Sequence, residues 1–331
     1  MLMQIRVRAE NQTGLWKECL DYARFHARTL EFEKATEICL EFLHGYLIPP
    51  AFSRGDKGTF NHINIVFTCG GNASRWDGFL GIPKQLIDTG DKLPLIQRSV
   101  NQFRSAFPGA SCYVLVARHD DNRTISATGA ITLRRSDNIH RPILVEILDC
   151  TEPRFSQRGD ILVVYGDVYF SDAAITKIMD RIQMKPDAFT LFGRKRQNEL
   201  FGNTGGEDFA VYAPRGSWQS ISDYHALLQR LYIGTRLHRY GTWEMMTLLS
   251  LLTRSGSSEG IPRPTLINDD ISQTIALMGE IWHRKEFDPQ YWIDIDDETE
   301  DFDFPCEYIE RLFRMVMWVG LAIEKHDTTS D

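Results

Sequence analysis

Short apolar runs alternate with mixed polar segments through the middle of the chain. The runs are INIVF, CYVLVA, ILVEIL, DILVVYGD, AFTLFG and DFAVYAP. Strands that are buried on both faces produce such runs, and the segments between them supply the helices that cover the sheet. The pattern therefore predicts an α/β fold built on a mainly parallel sheet.

The first fifty residues have a different, helical periodicity. Thr13 is a candidate N-cap for a helix that starts near Leu15. Further along, apolar positions recur at helical spacing at Ala35, Ile38, Cys39, Phe42, Leu43 and Tyr46. The next stretch, IPPAFSRGDKGTFN, contains two prolines and two glycines, which break any periodicity. We therefore predict a helical N-terminal unit over 1–50, a linker over 51–61 and an α/β domain over 62–331.

Two later segments are also helical in pattern. Residues 217–255 include ISDYHALLQRLY and WEMMTLLSLL, which predict a helical insertion that packs beside the sheet or forms part of a substrate lobe. The tail YIERLFRMVMWVGLAIEK predicts an amphipathic helix. Its acidic residues leave it without a basic polar face, so core packing is favoured over membrane contact.

Composition narrows the class of protein. The chain has 331 residues, 43% of them hydrophobic, and a formal net charge of −8. This balance argues against binding nucleic acid through a basic face. The six cysteines form no C-x-x-C pair, so neither a zinc ribbon nor a disulfide framework is indicated. No signal-peptide pattern and no apolar run of about eighteen residues is present, so we expect a cytoplasmic protein without a membrane contact.

The stretch CGGNASRWDGFLGIPKQL directly follows the first predicted strand. In an open α/β sheet, ligands bind at the carboxyl ends of the strands, where a loop of small residues exposes backbone N–H groups to phosphate oxygens. Two cations, Arg75 and Lys84, can reach over this loop. We therefore predict a nucleotide cradle made of Cys69, Gly70, Gly71, Asn72, Ala73, Ser74 and Arg75.

Three ordered segments resemble one family. CGGNASR followed by PKQL resembles the signature of the sugar-phosphate nucleotidyltransferase superfamily, small-small-Gly-x-Gly-x-Arg and then Pro-Lys. The PKQ form is most similar to cytidylyltransferases of the sugar, alditol or choline phosphate type. DILVVYGDVYF resembles the family strand that ends in Gly-Asp, and YWIDIDDETEDF resembles its W-x-D-I-D-T-P-E-D-F segment with one residue inserted. The resemblance covers roughly residues 63–302 and leaves the N-terminal helices outside it.

The chain departs from this family pattern at two places. Ala73 stands where the family usually has its second loop glycine, and a Cβ there disfavours a positive φ. CTEPRFSQRG replaces the Gly-Thr/Ser-Ala stretch that helps to hold the base. The sequence therefore does not identify the base of the nucleotide. It does not identify the phosphorylated acceptor either, because recognition of the acceptor hydroxyls depends on the shape of loops.

The resemblance implies a Rossmann-like, GT-A-like fold of the nucleotide-diphospho-sugar transferase type, and a reaction. A phosphate oxygen of a phosphorylated small molecule attacks the α-phosphorus of a nucleoside triphosphate, and pyrophosphate leaves. Arg75 would hold the triphosphate, and Lys84 would bridge the α-phosphate and the incoming phosphate. The implied cofactor is Mg²⁺, with Asp167 as one ligand and Asp296 or Asp294 as the second. A basic residue such as Arg194 or Lys195 is implied to contact the acceptor phosphate, with a solvated charge run as the alternative. Glu207, which lies after two glycines and before a predicted strand, is predicted to accept hydrogen bonds from acceptor hydroxyl groups.

Two other classes of function fit the same residues. One is a GT-A-type glycosyltransferase that uses a nucleotide sugar, although such a donor needs no cradle for a free triphosphate. The other is a catalytically silent binding module that uses the N-terminal helices for a partner or for self-association. For the favoured nucleotidyltransferase we expect a nucleoside triphosphate and a phosphorylated small molecule as partners, no nucleic acid, and a homo-oligomer through the helical regions.

Overall fold

A computed structural model describes residues 14–47, 59–69, 76, 78–116, 128–134, 144, 147, 159–195, 207–233, 242–254, 271–284, 286–302 and 304–328. The strands are β1 (Ile63–Thr68), β2 (Ser111–Val116), β3 (Ile131–Arg134), β4 (Asp160–Tyr165), β5 (Val168–Tyr169), β6 (Thr190–Arg194), β7 (Glu207–Ala213), β8 (Trp292–Asp294) and β9 (Glu300–Asp301). The helices are α1 (Leu15–Arg28), α2 (Phe32–Tyr46), α3 (Leu95–Ala106), α4 (Asp172–Gln183), α5 (Trp218–Ile233), α6 (Thr242–Arg254), α7 (Ile271–Arg284) and α8 (Pro305–Thr328).

Seven strands form one sheet in the order β3-β2-β1-β4-β7-β6-β8. The pairs β1–β2, β1–β4, β2–β3 and β6–β8 are parallel, whereas β7 is antiparallel to both of its neighbours, β4 and β6. β5 and β9 pair separately as a short antiparallel ladder. The predicted α/β class with a mainly parallel sheet is confirmed.

Burial on both faces explains why the strands are almost continuously apolar. All six residues of β1 are buried. Val66 joins a cluster with residues of α5, α6 and α7, whereas Ile65 and Phe67 join a cluster with residues of α3 and α4. Successive side chains of a strand point to opposite faces, so helices cover the sheet on both sides. The predicted helical insertion at 217–255 corresponds to α5 and α6 on the first of these faces.

A third apolar cluster joins α1 and α2 to α8. Trp16, Leu20 and Leu43 lie in it together with Tyr308 and other residues of α8. A Cβ added to Gly320 would lie 2.1 Å from Cγ of Trp16, so the indole packs directly on the backbone of α8. The predicted N-terminal helices are present, and they share a core with a helix of the predicted α/β domain. Residues 51–58 of the predicted linker lie outside the described residues.

A helix that crosses a bilayer needs about twenty mostly apolar residues. In the part of the chain that the structure describes, no helix combines the length and apolarity that such a segment needs.

Candidate active site

The predicted site residues gather along one edge of the sheet. Because β1, β4, β6 and β8 run in the same direction, their carboxyl ends lie at this edge. Cys69 follows β1, Asp167 follows β4, Arg194 ends β6 and Asp294 ends β8. β7 runs the other way, so it begins at the same edge with Glu207. Ligands bind at this edge in open α/β sheets.

The predicted cradle is described only at its first residue. Gly70, Gly71, Asn72, Ala73, Ser74 and Arg75 lie outside the described residues. Cys69 is buried, and its carbonyl accepts a hydrogen bond from Nε2 of Gln85 at 3.3 Å. A Cβ at Gly166 would lie 2.7 Å from Sγ of Cys69. Only a glycine therefore allows the end of β4 to pass this close to the end of β1.

Lys84 lies between two carboxylates. It opens a short 3-10 helix, Lys84–Leu86, after Pro83. Its Nζ forms an ion pair with the carboxylate of Asp167 and lies 3.9 Å from Oδ1 of Asp301. Asp301 reaches this place because it pairs with Val168 in the β5–β9 ladder, one residue after Asp167. We call Lys84, Asp167 and Asp301 the lysine cluster.

Arg194 lies between two other carboxylates. Its Nη2 forms an ion pair with Glu207 and lies 3.4 Å from Oε1 of Glu300. Its Nη1 donates a hydrogen bond to the carbonyl of Asp297 at 3.4 Å. Burial raises the pKa of Glu207 to about 7, and the charge of Glu300 acts in the same direction while Arg194 opposes it. We call Arg194, Glu207 and Glu300 the arginine cluster.

This arrangement limits what Arg194 can do for a substrate. Its side chain is 11% exposed and faces both carboxylates of its cluster. A substrate phosphate would have to compete with these two internal partners. The phosphate contact of Arg194 therefore stays a prediction, as does the contact of Glu207 with substrate hydroxyl groups.

Asp294 and Asp296 lie elsewhere on the edge. β7 and β6 separate β8 from β4, so three strand spacings, roughly 14 Å, lie between the ends of β4 and β8. The carboxylate of Asp294 accepts a hydrogen bond from the backbone N–H of Lys195 at 3.2 Å. Both aspartates are exposed. The structure thus brings Asp294 to Lys195 and Asp301 to Asp167, and a shared metal for Asp167 with Asp294 or Asp296 stays a prediction.

Lys195 has an additional neighbour. Its Nζ lies 5.9 Å from the centroid of the Phe287 ring. A cation at this distance from an aromatic ring is weakly attracted to the ring face. Its predicted contact with the acceptor stays a prediction.

Sequence reasoning did not select Glu300 and Asp301, although both lie in the acidic stretch that it singled out. Successive residues of a strand point to opposite sides, and this places Glu300 in the arginine cluster and Asp301 in the lysine cluster. The signal available in the sequence was the position of this Glu-Asp pair directly before the apolar Phe302. In the structure, Phe302 is fully buried, and its N–H donates a hydrogen bond to the carbonyl of Asp167 at 3.4 Å. Two strand residues therefore link both clusters.

No protein-family model matches the chain, and no curated protein matches it. Among solved structures, it is similar to the inositol-1-phosphate CTP transferase from T. maritima, with 11% identity and a TM-score of 0.36 over 67% of this chain and 98% of that one. It is also similar to HddC from Yersinia pseudotuberculosis, with 11% identity and a TM-score of 0.40 over 76% of this chain and 99% of that one. Similarities of this size carry no information about the substrates of this chain.

Proposed function

We propose that the chain is a nucleotidyltransferase that joins a nucleoside triphosphate to a phosphorylated small molecule and releases pyrophosphate. One observation carries the proposal: the ammonium group of Lys84 lies beside two carboxylates, Asp167 and Asp301, at the carboxyl edge of the sheet. Lys84 belongs to the Pro-Lys-Gln that follows the glycine-rich stretch in the resembled signature. Asp167 belongs to the Gly-Asp of the second resembled segment, and Asp301 to the third.

The proposed reaction needs cations more than a general base. The attacking phosphate oxygen is already ionised at neutral pH, so the barrier lies in bringing two anions together in line and in stabilising charge on the transferred phosphorus. A new P–O bond forms at the α-phosphorus while the bond to the β-phosphate oxygen breaks, and the bonding electrons leave with pyrophosphate. Lys84 contributes a compact charge with three N–H donors, which can contact both reacting phosphates.

The carboxylates of the lysine cluster fit the expected cofactor. Mg²⁺ prefers oxygen ligands and usually takes one or two carboxylates, with phosphate oxygens and waters completing its shell. Within the described ranges, no group of three or more His, Cys, Asp or Glu side chains is arranged to hold a metal, so the phosphates would supply the remaining ligands. We propose Asp167 and Asp301 as the protein ligands, with Asp294 and Asp296 as the alternative second ligands. When bound, Mg²⁺ would neutralise phosphate charge.

The acceptor side of the site is proposed to lie at the arginine cluster. Because the pKa of Glu207 is raised to about 7 by burial, this carboxyl group exchanges its proton near neutral pH. It can then either donate a hydrogen bond to an acceptor oxygen or accept one from an acceptor hydroxyl. Sugar 1-phosphates, alditol phosphates and aminoalcohol phosphates are the candidate acceptors. Cytosine is the first base to test, because the Pro-Lys-Gln form is most similar to that of cytidylyltransferases.

A two-step experiment tests this function. Thermal unfolding is measured with CTP, UTP, GTP, ATP and dTTP in the presence of Mg²⁺, because a ligand that binds only the native state raises the apparent stability. Pyrophosphate release is then measured with the selected nucleotide and each class of phosphorylated acceptor. We expect one nucleotide to stabilise the protein and one acceptor class to trigger release. Turnover of a nucleotide sugar without pyrophosphate would favour the glycosyltransferase instead, and no binding or turnover of any kind would favour the silent binding module.

A further inference from the structure

We propose that α2 holds the Lys84 segment in its working position, with His44 as the positioning residue. This inference rests on the proposed role of Lys84, but it concerns helices that lie outside the family resemblance. The carrying observation is that His44 and its neighbour Leu43 both contact the turn that follows Lys84.

The turn between the 3-10 helix and α3 has an unfavourable backbone. Gly90 has a φ of 93° and Lys92 a φ of 65°. A lysine in this left-handed region is uncommon and persists only where its surroundings hold it. The turn therefore needs side-chain contacts that hold its backbone in place.

Asp88 supplies those contacts at the start of the turn. Its Oδ1 accepts hydrogen bonds from the N–H groups of Gly90 at 2.7 Å and Lys92 at 3.1 Å. Its Oδ2 accepts a hydrogen bond from Nε2 of His44 on α2 at 2.8 Å. Its carbonyl accepts a hydrogen bond from the hydroxyl of Tyr308 on α8 at 2.6 Å. One residue thus holds both positive-φ positions, including the strained Lys92, and is itself held by two helices.

An apolar contact lies next to the polar one. A Cβ added to Gly90 would lie only 2.7 Å from Cδ1 of Leu43, so the leucine packs on the bare backbone of the turn. Leu43 is fully buried. Because consecutive residues of α2 provide the leucine and the histidine, a displacement of α2 would release both contacts at once.

The turn is coupled to the lysine cluster on two sides. On one side, the N–H of Ile87 donates a hydrogen bond to the carbonyl of Lys84 at 3.3 Å. This bond restricts the movement of Lys84 relative to Asp88. On the other side, the buried Asp91 forms an ion pair with Arg98 at 2.8 Å, and Arg98 donates to the hydroxyl of Tyr169 on β5 at 3.0 Å. The same turn therefore fixes Lys84 and β5, the strand that directly follows Asp167 and pairs with the strand of Asp301.

This coupling gives the contact of His44 a catalytic consequence. A misplacement of a reacting group by about 1 Å can cost about 100-fold in rate. Loss of the hydrogen bond from His44 loosens Asp88 and so moves Lys84 relative to Asp167. We expect the effect to fall mainly on kcat, because a displaced Lys84 still attracts the phosphates while it no longer contacts the reacting oxygens.

The first test uses hydrogen exchange and NMR, and it does not depend on activity. In His44→Ala, we expect the amides of Gly90 and Lys92 to exchange about tenfold faster, because the cap that Asp88 provides opens more often. We also expect the side-chain signal of Lys84 in lysine-labelled protein to move. His44→Gln should restore both readouts, because its Nε2 can donate to Asp88 in the same way.

A matched control is present in the same helical unit. His26 contacts the carboxylate of Glu31 between α1 and α2, a pair of the same chemistry that does not contact the Asp88 turn. His26→Ala should leave the Gly90 and Lys92 amides and the Lys84 signal unchanged. If a folded His44→Ala protein shows unchanged signals at all three positions, the proposal is wrong. If His44→Ala does not fold, Asp88→Asn is used instead, because it weakens the contact with His44 while keeping the shape of the side chain. This variant must then show the same faster exchange at Gly90 and Lys92 and the same shift of the Lys84 signal.

The second test uses pyrophosphate release. We expect His44→Ala to lower kcat about tenfold with KM nearly unchanged, and His44→Gln to recover most of the loss. If the wild-type protein releases no pyrophosphate, the proposed function fails, while the exchange and NMR readouts still decide whether α2 holds the Lys84 segment. Normal kcat in a His44→Ala protein whose Lys84 signal has moved would also overturn the positioning role.

Discussion

The lysine cluster and the arginine cluster have the same charge pattern but differ in burial and in the shape of their cation. Each holds one cation between two carboxylates, and each takes one carboxylate from β9. Side chains of the lysine cluster are 13% to 27% exposed, whereas those of the arginine cluster are 4% to 18% exposed. Lysine carries a compact charge on a flexible stem, and arginine a planar fork that suits fixed, buried pairs.

The difference indicates that the lysine cluster serves the reaction, whereas Arg194 mainly stabilises the fold at the same edge of the sheet. The Lys84 ammonium can exchange a carboxylate for a phosphate oxygen at modest cost, because its two carboxylates are 21% and 27% exposed and water screens the one that it leaves. The same exchange at Arg194 costs more, because Glu300 is only 4% exposed and would be left without its cation. We therefore expect changes in the lysine cluster to alter turnover most, and loss of the Arg194 charge to alter stability most.

Removal of the Lys84 ammonium should have the largest effect. Lys84→Ala is expected to lower pyrophosphate release by at least about 100-fold, because a charge-assisted contact to the transferring phosphate contributes several kcal/mol in the transition state. The free energy of unfolding, measured by urea denaturation, should change little. Lys177→Ala is the control, since Lys177 is an exposed lysine at the same edge whose Nζ donates to the carbonyl of Asp294. Equal turnover of Lys84→Ala and Lys177→Ala would refute the role of Lys84.

The Mg²⁺ dependence should distinguish between the two pairs of aspartates. Asp167→Asn and Asp301→Asn are each expected to raise the Mg²⁺ concentration for half-maximal activity by at least about tenfold, because Mg²⁺ loses one of its few carboxylate ligands. The double variant Asp294→Asn, Asp296→Asn should titrate like the wild type if Asp301 is the second ligand. A shift in the double variant with none in Asp301→Asn would instead support the pairing predicted from the sequence.

Removal of the arginine should destabilise the fold. Arg194→Met leaves Glu207 and Glu300 buried without their shared cation, and breaking a buried pair in this way costs about 3 kcal/mol. The free energy of unfolding should fall by that amount in urea denaturation. Arg314→Met is the matched control, because Arg314 pairs with Glu310 on the surface of α8 and surface pairs contribute about 0 to 1 kcal/mol. Equal losses for the two variants would show that the arginine cluster is not a supporting element.

The pH dependence of stability should show the smallest effect for each pH step, because the change is spread over the range between the two pKa values of Glu207. The pKa of Glu207 is raised by burial from 4.5 to about 7 in the folded chain, so between these values the folded state binds a proton that the unfolded state lacks. The free energy of unfolding should therefore fall as the pH rises from 4.5 to 7, with a slope of at most about 1.4 kcal/mol per pH unit. Glu207→Gln should flatten this slope, while Glu310→Gln should keep it. A Glu207→Gln protein with the slope of the wild type would exclude this carboxyl group as its source.

Local pattern was sufficient for most of the sheet and for two of the three members of each cluster. The prediction of a strand at ILVEIL was wrong, because its described residues Leu144 and Ile147 are helical. The runs INIVF and DILVVYGD place β1 and β4, because burial on both faces leaves a continuous apolar signal. Lys84 and Asp167 could be predicted as site residues because Lys84 belongs to the segment after β1 and Asp167 lies directly after β4. The antiparallel direction of β7 left no signal, since DFAVYAP is equally apolar in either direction.

The remaining contacts depend on pairing between distant segments. β9 has only two residues and pairs with β5 across more than 130 positions of sequence. Apart from its position directly before Phe302, no local feature of the acidic stretch distinguishes Asp301 from Asp294 or Asp296. Helical periodicity likewise predicted that α2 buries one face, but not that this face meets α8. Amphipathic spacing fixes which residues are buried and leaves their partner open.

The shared core of α1, α2 and α8 also has a consequence for biosynthesis. About 260 residues separate the end of α2 from the start of α8. At about 5 to 20 residues per second, a ribosome needs roughly 13 to 50 s to make that length of chain. During this interval, α8 has not yet been synthesised and cannot cover the apolar faces of α1 and α2. The nascent chain can therefore complete this core only after α8 has been made.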